Sequence, residues 1–98
     1  DAPNQSGAYD AHYRRMLQFY AAGYPQATDP FEVARLIDHA ITTDTPRLRY
    51  AVSWAGPEIV SGREAMTDED WVALGRFTDD DEYYSAFRSA FGVDIAPS

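Results

Sequence analysis

The 98-residue chain contains no cysteine and no lysine, and each absence removes a class of chemistry. Without cysteine the chain cannot form disulfides, zinc–thiolate sites or iron–sulfur sites, and it has no thiol nucleophile. All eight basic residues are arginine, so neither a Schiff base nor the lysine of a phosphate loop can be present. The sequence also has no apolar run approaching the roughly 18 residues that span a bilayer. Composition therefore excludes several functions and names none.

Positive charge is scarce relative to negative charge. Sixteen acidic residues against eight arginines give a net charge of −8, which argues against nucleic acid or an anionic membrane as a partner. The excess lies in residues 58–98, which hold ten acids and three arginines, whereas residues 1–57 hold six acids and five arginines. Hydrophobic residues make up 45% of the chain, which predicts one small globular domain. Because residue 1 is aspartate, we expect a chain that was processed or cut from a longer one.

Apolar spacing predicts a first helix from about Tyr9 to Ala22. Aromatic and aliphatic residues recur there at intervals of three and four, as on one face of a helix. Gly23 and Pro25 end the element. This stripe has two interpretations that the sequence leaves open: packing against a core or an interface, or lining an apolar ligand pocket. Its members are Tyr9, Tyr13, Met16, Leu17, Tyr20 and Tyr24.

The second predicted helix, from about Pro30 to Thr43, carries the strongest start signal in the chain. Asp29 is the expected N-cap, Pro30 occupies the first turn, and Glu32 is expected to complete a capping box. An amphipathic helix normally buries its apolar face against a core. We therefore expect burial of one stripe, which consists of Val33, Ala34, Ile37, Ala40 and Ile41.

Residues 47–54 alternate between apolar and more polar side chains, a period-two pattern that is typical of a β-strand. The apolar positions are Leu48, Tyr50, Val52 and Trp54. No other part of the sequence has this pattern, and a lone strand leaves its backbone donors and acceptors unpaired. We therefore expect this strand to pair with another chain or with sequence that is missing here.

Three shorter helices are expected after residue 55, and local start and stop signals mark each of them. The first begins at Gly56-Pro57-Glu58 and ends near Gly62, the second has Thr67 as its cap and ends at Gly75, and the third begins at Thr78-Asp79, buries Tyr83, Tyr84, Phe87 and Phe91, and ends at Gly92. The predicted fold class is accordingly mostly α with a single β-strand.

Acidic residues cluster at 68–70 and 79–82 and invite interpretation as a metal site. Both clusters lie at expected helix starts, where carboxylates cap free amide groups and complement the helix dipole. We therefore predict helix caps and solvated charge there, and no metal site. The two histidines, His12 and His39, lie on different predicted helices and are expected to be solvated.

Residues 29–50, DPFEVARLIDHAITTDTPRLRY, resemble the late part of short-chain dehydrogenase/reductases. Many members of that family carry an Asp-Pro-x-x-Val-Ala helix there, followed by a proline-bearing turn and an Arg-Tyr strand. The glycine-rich dinucleotide turn, the catalytic serine and the Tyr-x-x-x-Lys pair of the family normally precede this region, and this chain has none of them. No catalytic or cofactor-binding residue therefore carries over. The matching positions are Asp29, Pro30, Glu32, Val33, Ala34, Ile37 and Ala40 in the helix, and Pro46, Arg49 and Tyr50 in the turn and strand.

The resemblance implies that the chain is the C-terminal helix–strand–helices portion of a Rossmann-type α/β fold. Residues 7–25 would form a helix that covers the substrate, residues 29–54 a helix plus an edge strand, and residues 57–95 an acidic helical C-terminal extension. The parent would be a cytoplasmic oxidoreductase that uses NAD or NADP to interconvert a small apolar carbonyl and an alcohol, and this segment alone would be inactive. Its partners would be the remainder of the parent sheet and a second copy through residues 29–54. The substrate-binding residues would be Tyr9, Tyr13, Met16 and Tyr20.

Two alternatives require no Rossmann fold. One is a small acidic helical module that binds a protein partner through its tyrosine-rich face and has no catalytic activity. Such a module would fold alone, and its residues 47–54 would either form no strand or pair between copies. The other alternative is a carboxylate-based enzyme, which would need two acidic side chains converging in one cleft.

Overall fold

The computed structural model describes residues 7–98, and the regular structure in this range is entirely helical. No helix within these residues is long and apolar enough to cross a bilayer. In chain order the elements are α1 (Asp10–Gly23), a 3-10 turn (Tyr24–Gln26), α2 (Pro30–Thr42), α3 (Gly56–Ala65), α4 (Asp68–Leu74) and α5 (Asp80–Phe91).

The helix starts follow the local capping signals of the sequence. The Asp29 carboxylate accepts a hydrogen bond from the amide of Phe31 at the start of α2, while the Glu32 amide donates to the backbone oxygen of Asp29. Thr67 and Asp70 form a reciprocal capping box at the start of α4. Asp79 caps α5 by accepting from the amide of residue 82. The prediction that the acidic clusters contain helix caps is thus confirmed for both clusters.

The hydrophobic core lies around α5, as the sequence predicted. Tyr84, Phe87 and Phe91 are buried, while Tyr83 is half-buried beside them. Gly92 adopts a left-handed conformation with φ of 70°, which ends α5 and turns the chain back over the core. The residues that follow complete the core, and Ile95 is its most deeply buried member with 1% of its surface exposed. Residues 93 and 95 were not expected in the core, because no periodic pattern precedes the C-terminus.

Residues 47–54 form no strand, so the predicted fold of mostly α with a single β-strand, as part of a Rossmann-type sheet, is wrong. Ser53 and Ala55 have φ values of 80° and 65°, which lie outside the extended region that a strand requires. Side chains satisfy the backbone locally: the Tyr50 hydroxyl accepts from the Arg47 amide at 2.9 Å. Further along, the Thr28 hydroxyl accepts from the amide of Trp54 at 3.0 Å. The apolar alternation does not mark a strand here, since Leu48 is 87% exposed and the described residues offer no second strand to pair with the segment.

The predicted helix α2 is confirmed, but the prediction that its apolar stripe is buried is wrong. No residue of α2 is buried, and Ile37 and Ile41 are 56% and 78% exposed. The molecule is elongated as a result, with a radius of gyration of 16.4 Å against about 13 Å for a compact chain of this length. Its accessible surface of 7484 Å² likewise exceeds the roughly 5,600 Å² expected of a compact 11-kDa monomer.

Candidate ligand-binding site

A cavity of about 460 Å³ lies between α1, α4 and α5. Its volume falls within the range of roughly 300–1,000 Å³ that is usual for small-molecule sites. The walls are mainly aromatic and aliphatic, with few polar groups, as in most such sites. They are formed by His12, Arg15, Met16, Phe19 and Tyr20 from α1, by Trp71, Val72, Leu74 and Gly75 at α4, and by Tyr83 and Phe87 from α5.

Helical periodicity explains why α1 presents these five side chains together. Positions 12, 15, 16, 19 and 20 follow the i, i+3, i+4, i+7, i+8 pattern, so they lie on one face of the helix. Phe19 anchors this face to the core, with ring centroids 5.3 Å from Trp54 and 6.2 Å from Phe87. Gly23 permits this close approach, because a Cβ atom there would lie 2.6 Å from the Trp54 ring.

Arg15 is the buried polar residue of this site, with only 3% of its side chain exposed. Its Nη2 donates to the backbone oxygen of Phe77 at 2.6 Å, and its Nε donates to the Asp80 carboxylate at 3.0 Å. The guanidinium carbon lies 4.5 Å from the centre of the Tyr83 ring, a cation–π distance. The remaining nitrogen, Nη1, is buried and has no hydrogen-bond partner in the part of the chain that the structure describes.

The Asp80 carboxylate accepts hydrogen bonds from two arginines, Arg14 and Arg15. Arg14 donates to its carboxylate from Nε at 2.7 Å and from Nη2 at 3.1 Å, in the two-point arrangement that carboxylates favour. The hydrogen bonds from Arg14, supported by the one from Arg15, hold the pKa of the Asp80 carboxyl below its ordinary value of 3.8. One negative charge therefore faces two positive charges, and the group as a whole carries a charge of +1.

Tyr83 and His12 complete the polar lining. Burial raises the pKa of the Tyr83 phenol above its ordinary value of 10.0, and the neighbouring Arg15 cation opposes part of that rise. His12 is exposed at the edge of the cavity, and its ring centroid lies 6.3 Å from that of Tyr9. The phenol and guanidinium offer hydrogen-bond donors to a ligand, and the imidazole offers a donor or an acceptor.

The structure separates the four predicted substrate-binding residues into two pairs. Met16 and Tyr20 line the cavity, although 63% of Tyr20 is exposed. Tyr9 and Tyr13 are not part of the wall, although the ring of Tyr9 contacts that of His12, which is. Sequence reasoning missed Arg15, because nothing local distinguishes it from Arg14. What distinguishes Arg15 from Arg14 is its hydrogen bond to the backbone oxygen of Phe77, which lies 62 positions away in the sequence.

The described residues offer neither a metal site nor a dinucleotide site. Residues 7–98 contain no group of three or more histidine, aspartate or glutamate side chains arranged to hold a metal ion. A second cavity of about 510 Å³ includes Asp29, Glu32 and Glu58, but Asp29 is already engaged as the cap of α2. The described residues do not fit a dinucleotide, because they include no glycine-rich turn between a strand and a helix. No reaction step through a nicotinamide is therefore derived from this chain.

Comparison with known proteins identifies no relative of this chain. No protein-family model matches the sequence, no curated protein matches it, and no solved structure matches its fold.

Proposed function

We propose that the chain forms the organic-substrate pocket of an NAD(P)-dependent oxidoreductase of the short-chain dehydrogenase/reductase type, which interconverts a carbonyl and an alcohol. The observation that carries the proposal is the cavity of about 460 Å³ with aromatic and aliphatic walls. The nicotinamide site and the catalytic groups would belong to other parts of a longer protein, so this segment alone would be inactive. A cytoplasmic location is part of the same proposal and rests on the resemblance alone.

The resemblance supports this proposal through the helix and not through the strand. Asp29 caps α2, and Pro30 begins it, as the family pattern of residues 29–40 requires. The Arg-Tyr segment at residues 49–50 is irregular here and gives no support. The reaction class therefore comes from the helix pattern, whereas the capacity to bind a small apolar molecule comes from the cavity.

In this proposal the chain's own residues bind and orient the substrate and exclude water from it. Met16 and Tyr20 of α1 face Trp71 and Val72 of α4 across the cavity, and each of these four side chains is partly exposed. A substrate between them would cover apolar surface on both helices, at roughly 25 cal/mol for each Å² removed from water. Such contacts are the same in the ground state and the transition state, so they contribute to the Michaelis constant.

A second copy of the chain is the partner proposed for α2. Its exposed apolar residues continue into the following segment, and an uncovered stripe of this kind marks an interaction surface. The accessible surface exceeds that of a compact monomer by enough to supply the roughly 800 Å² per subunit that a standard interface buries. The exposed members are Phe31, Ile37, Ile41 and Leu48.

The first test is to read the coding sequence upstream of residue 1. The proposal requires a glycine-rich turn and a Tyr-x-x-x-Lys pair there, and a start codon immediately before residue 1 would refute it. The second test follows nicotinamide absorbance with apolar ketones and secondary alcohols, using the longer protein and the 98-residue chain. Hydride transfer by the longer protein alone is the expected result. Activity in the 98-residue chain, or no nicotinamide binding by the longer protein, would contradict the proposal.

Side-chain truncation in the longer protein tests the assignment of the pocket. Tyr20→Ala removes part of the cavity wall, and a loss of about 1.4 kcal/mol of binding would raise KM about tenfold while kcat stays unchanged. Leu17→Ala is the matched control, because Leu17 is equally exposed on α1 but is not part of the wall. Equal effects of the two substitutions, or a fall in kcat with KM unchanged, would show that Tyr20 is not a binding residue.

The protein-binding module is the second candidate, and one observation favours it. It predicted that residues 47–54 form no strand, and they form none. Its docking surface would be the tyrosine-rich face of α1, where Tyr9, Tyr20 and Tyr24 are all exposed. A module of this kind would unfold cooperatively as a monomer at every concentration, and a longer protein that contains it would transfer no hydride.

A further inference from the structure

The cavity between α1, α4 and α5 has an unusual charge for this chain. The protein carries sixteen acidic residues and a net charge of −8, yet none of the carboxylates within residues 7–98 lines this cavity. Its ionisable groups are the guanidinium of Arg15, the imidazole of His12 and two tyrosine phenols. Because Arg15 is positively charged, the lining disfavours cations and is suited to a ligand with negative charge.

Arg15 adds a second, independent observation. It is almost fully buried at the cavity wall, and its Nη1 has no hydrogen-bond partner among residues 7–98. A buried N–H without a partner costs roughly 1–3 kcal/mol, and more for a charged group, so such an atom needs an explanation. The Asp80 carboxylate does not fully neutralise the positive charge of Arg15, because Arg14 makes two hydrogen bonds to the same carboxylate. An anionic group at Arg15 would accept the hydrogen bond that Nη1 lacks and would balance the remaining positive charge of the guanidinium.

We propose that this cavity binds an apolar, preferably aromatic, molecule that carries one carboxylate, and that Arg15 is the residue that binds the carboxylate. The aromatic walls accept the ring of the ligand, while a single guanidinium with one free nitrogen matches a single acidic group. The exposed area of Nη1 is less than 1 Å², so a wall side chain must move for the carboxylate to reach it. Met16 lines the same wall and has an unbranched side chain with three rotatable bonds.

Combined with the function proposed above, on which it rests for the reaction, this site makes the substrate an apolar oxo or hydroxy acid. Binding itself depends only on the cavity and can be measured on the 98-residue chain. Calorimetry with 2-naphthoate and with its neutral analogue 2-naphthamide, in buffer of low ionic strength, separates charge recognition from apolar contact. We expect saturable binding of both ligands, with naphthoate at least tenfold tighter.

The variant Arg15→Met tests which residue recognises the charge. It should bring the two affinities within about twofold of each other by weakening naphthoate alone, and Arg15→Lys should restore part of the preference. Arg35→Met removes the same charge from the exposed face of α2, outside the cavity wall, and should leave the preference unchanged. Preference retained in Arg15→Met, or preference lost in Arg35→Met, would overturn the assignment.

A second variant covers the case in which Arg15→Met does not fold. Val72→Phe fills the cavity without altering Arg15, since Val72 is half exposed on the opposite wall. It should weaken both ligands by the same factor, and unchanged affinity for naphthoate would place binding elsewhere. Equal binding of naphthoate and naphthamide to the native chain would overturn the proposal, even if the longer protein reduces neutral ketones. Naphthoate preference without hydride transfer would instead refute the oxidoreductase and retain the carboxylate site.

Discussion

Replacing Gly62 by alanine should destabilise the protein, although alanine is the better helix former. Gly62 lies in the middle of α3, where the change from glycine to alanine alone would stabilise the helix by about 1 kcal/mol. In this fold, however, a Cβ atom at residue 62 would lie 2.7 Å from the backbone oxygen of Ala90 and would overlap the Phe91 ring. A backbone oxygen within a helix cannot turn aside as a side chain can, so α3 and α5 would have to separate.

Overpacking of this kind costs about 1–3 kcal/mol, and the upper end applies because backbone atoms are involved. After the gain in helix propensity the expected net loss is about 2 kcal/mol, which lowers Tm by about 8–16 °C in a domain of this size. Thermal and urea unfolding, followed by circular dichroism, measure this loss of stability. Gly75→Ala is the matched control, since its Cβ would meet atoms no closer than 3.5 Å. A Gly62→Ala protein as stable as the native chain would show that α3 does not pack on α5 at this point.

Two further predictions concern charge and association. Because the pKa of Asp80 is held below 3.8 in the folded chain, its ion pairs stabilise the protein above about pH 4, and this contribution is lost as the pH falls through the lowered value. Urea unfolding between pH 2 and 6 should therefore show a loss of stability on acidification that is smaller in Asp80→Asn, and identical acid profiles would contradict the shared ion pair. If α2 is the contact between copies, sedimentation should show a dimer that Ile41→Glu converts to monomer, with Glu64→Gln on α3 as control. A native chain that remains monomeric at high concentration would refute this contact.

The helix starts could be predicted from sequence because their determinants are local. Asp29, Thr67 and Asp79 each cap a helix through an amide two or three residues away, so the information lies within one turn. The burial of Phe87 and Phe91 was predictable for a similar reason, since one helical face carries most of the aromatic residues of that segment. Local signals of this kind fix where a helix begins and which face is apolar.

Contacts between distant residues could not be predicted in the same way. The tyrosine stripe of α1 was predicted either to pack against a core or an interface or to line a pocket, and neither alternative predicted the burial of Arg15, whose guanidinium donates to the Asp80 carboxylate and the Phe77 carbonyl. The alternation at residues 47–54 satisfied the pattern of a strand, but pairing requires a partner strand, and that requirement is not local. The apolar face of α2 was correctly identified, but its predicted burial is not found within this chain.

One physical cause connects the cavity with the position of Arg15. The core is small and centred on α5, so α1 is held against it by Phe19, by the Arg15 hydrogen bonds and by the Gln18 amide, which donates to the backbone oxygen of Ile95 at 2.8 Å. The gap that remains between α1 and α4 is the cavity. A ligand there contacts both helices and binds only the folded state, so at one hundred times its Kd it would stabilise the protein by about 2.7 kcal/mol. This stabilisation exceeds the loss of about 2 kcal/mol expected for Gly62→Ala. In a protein with so small a core, a ligand in the cavity therefore contributes substantially to holding α1 in place.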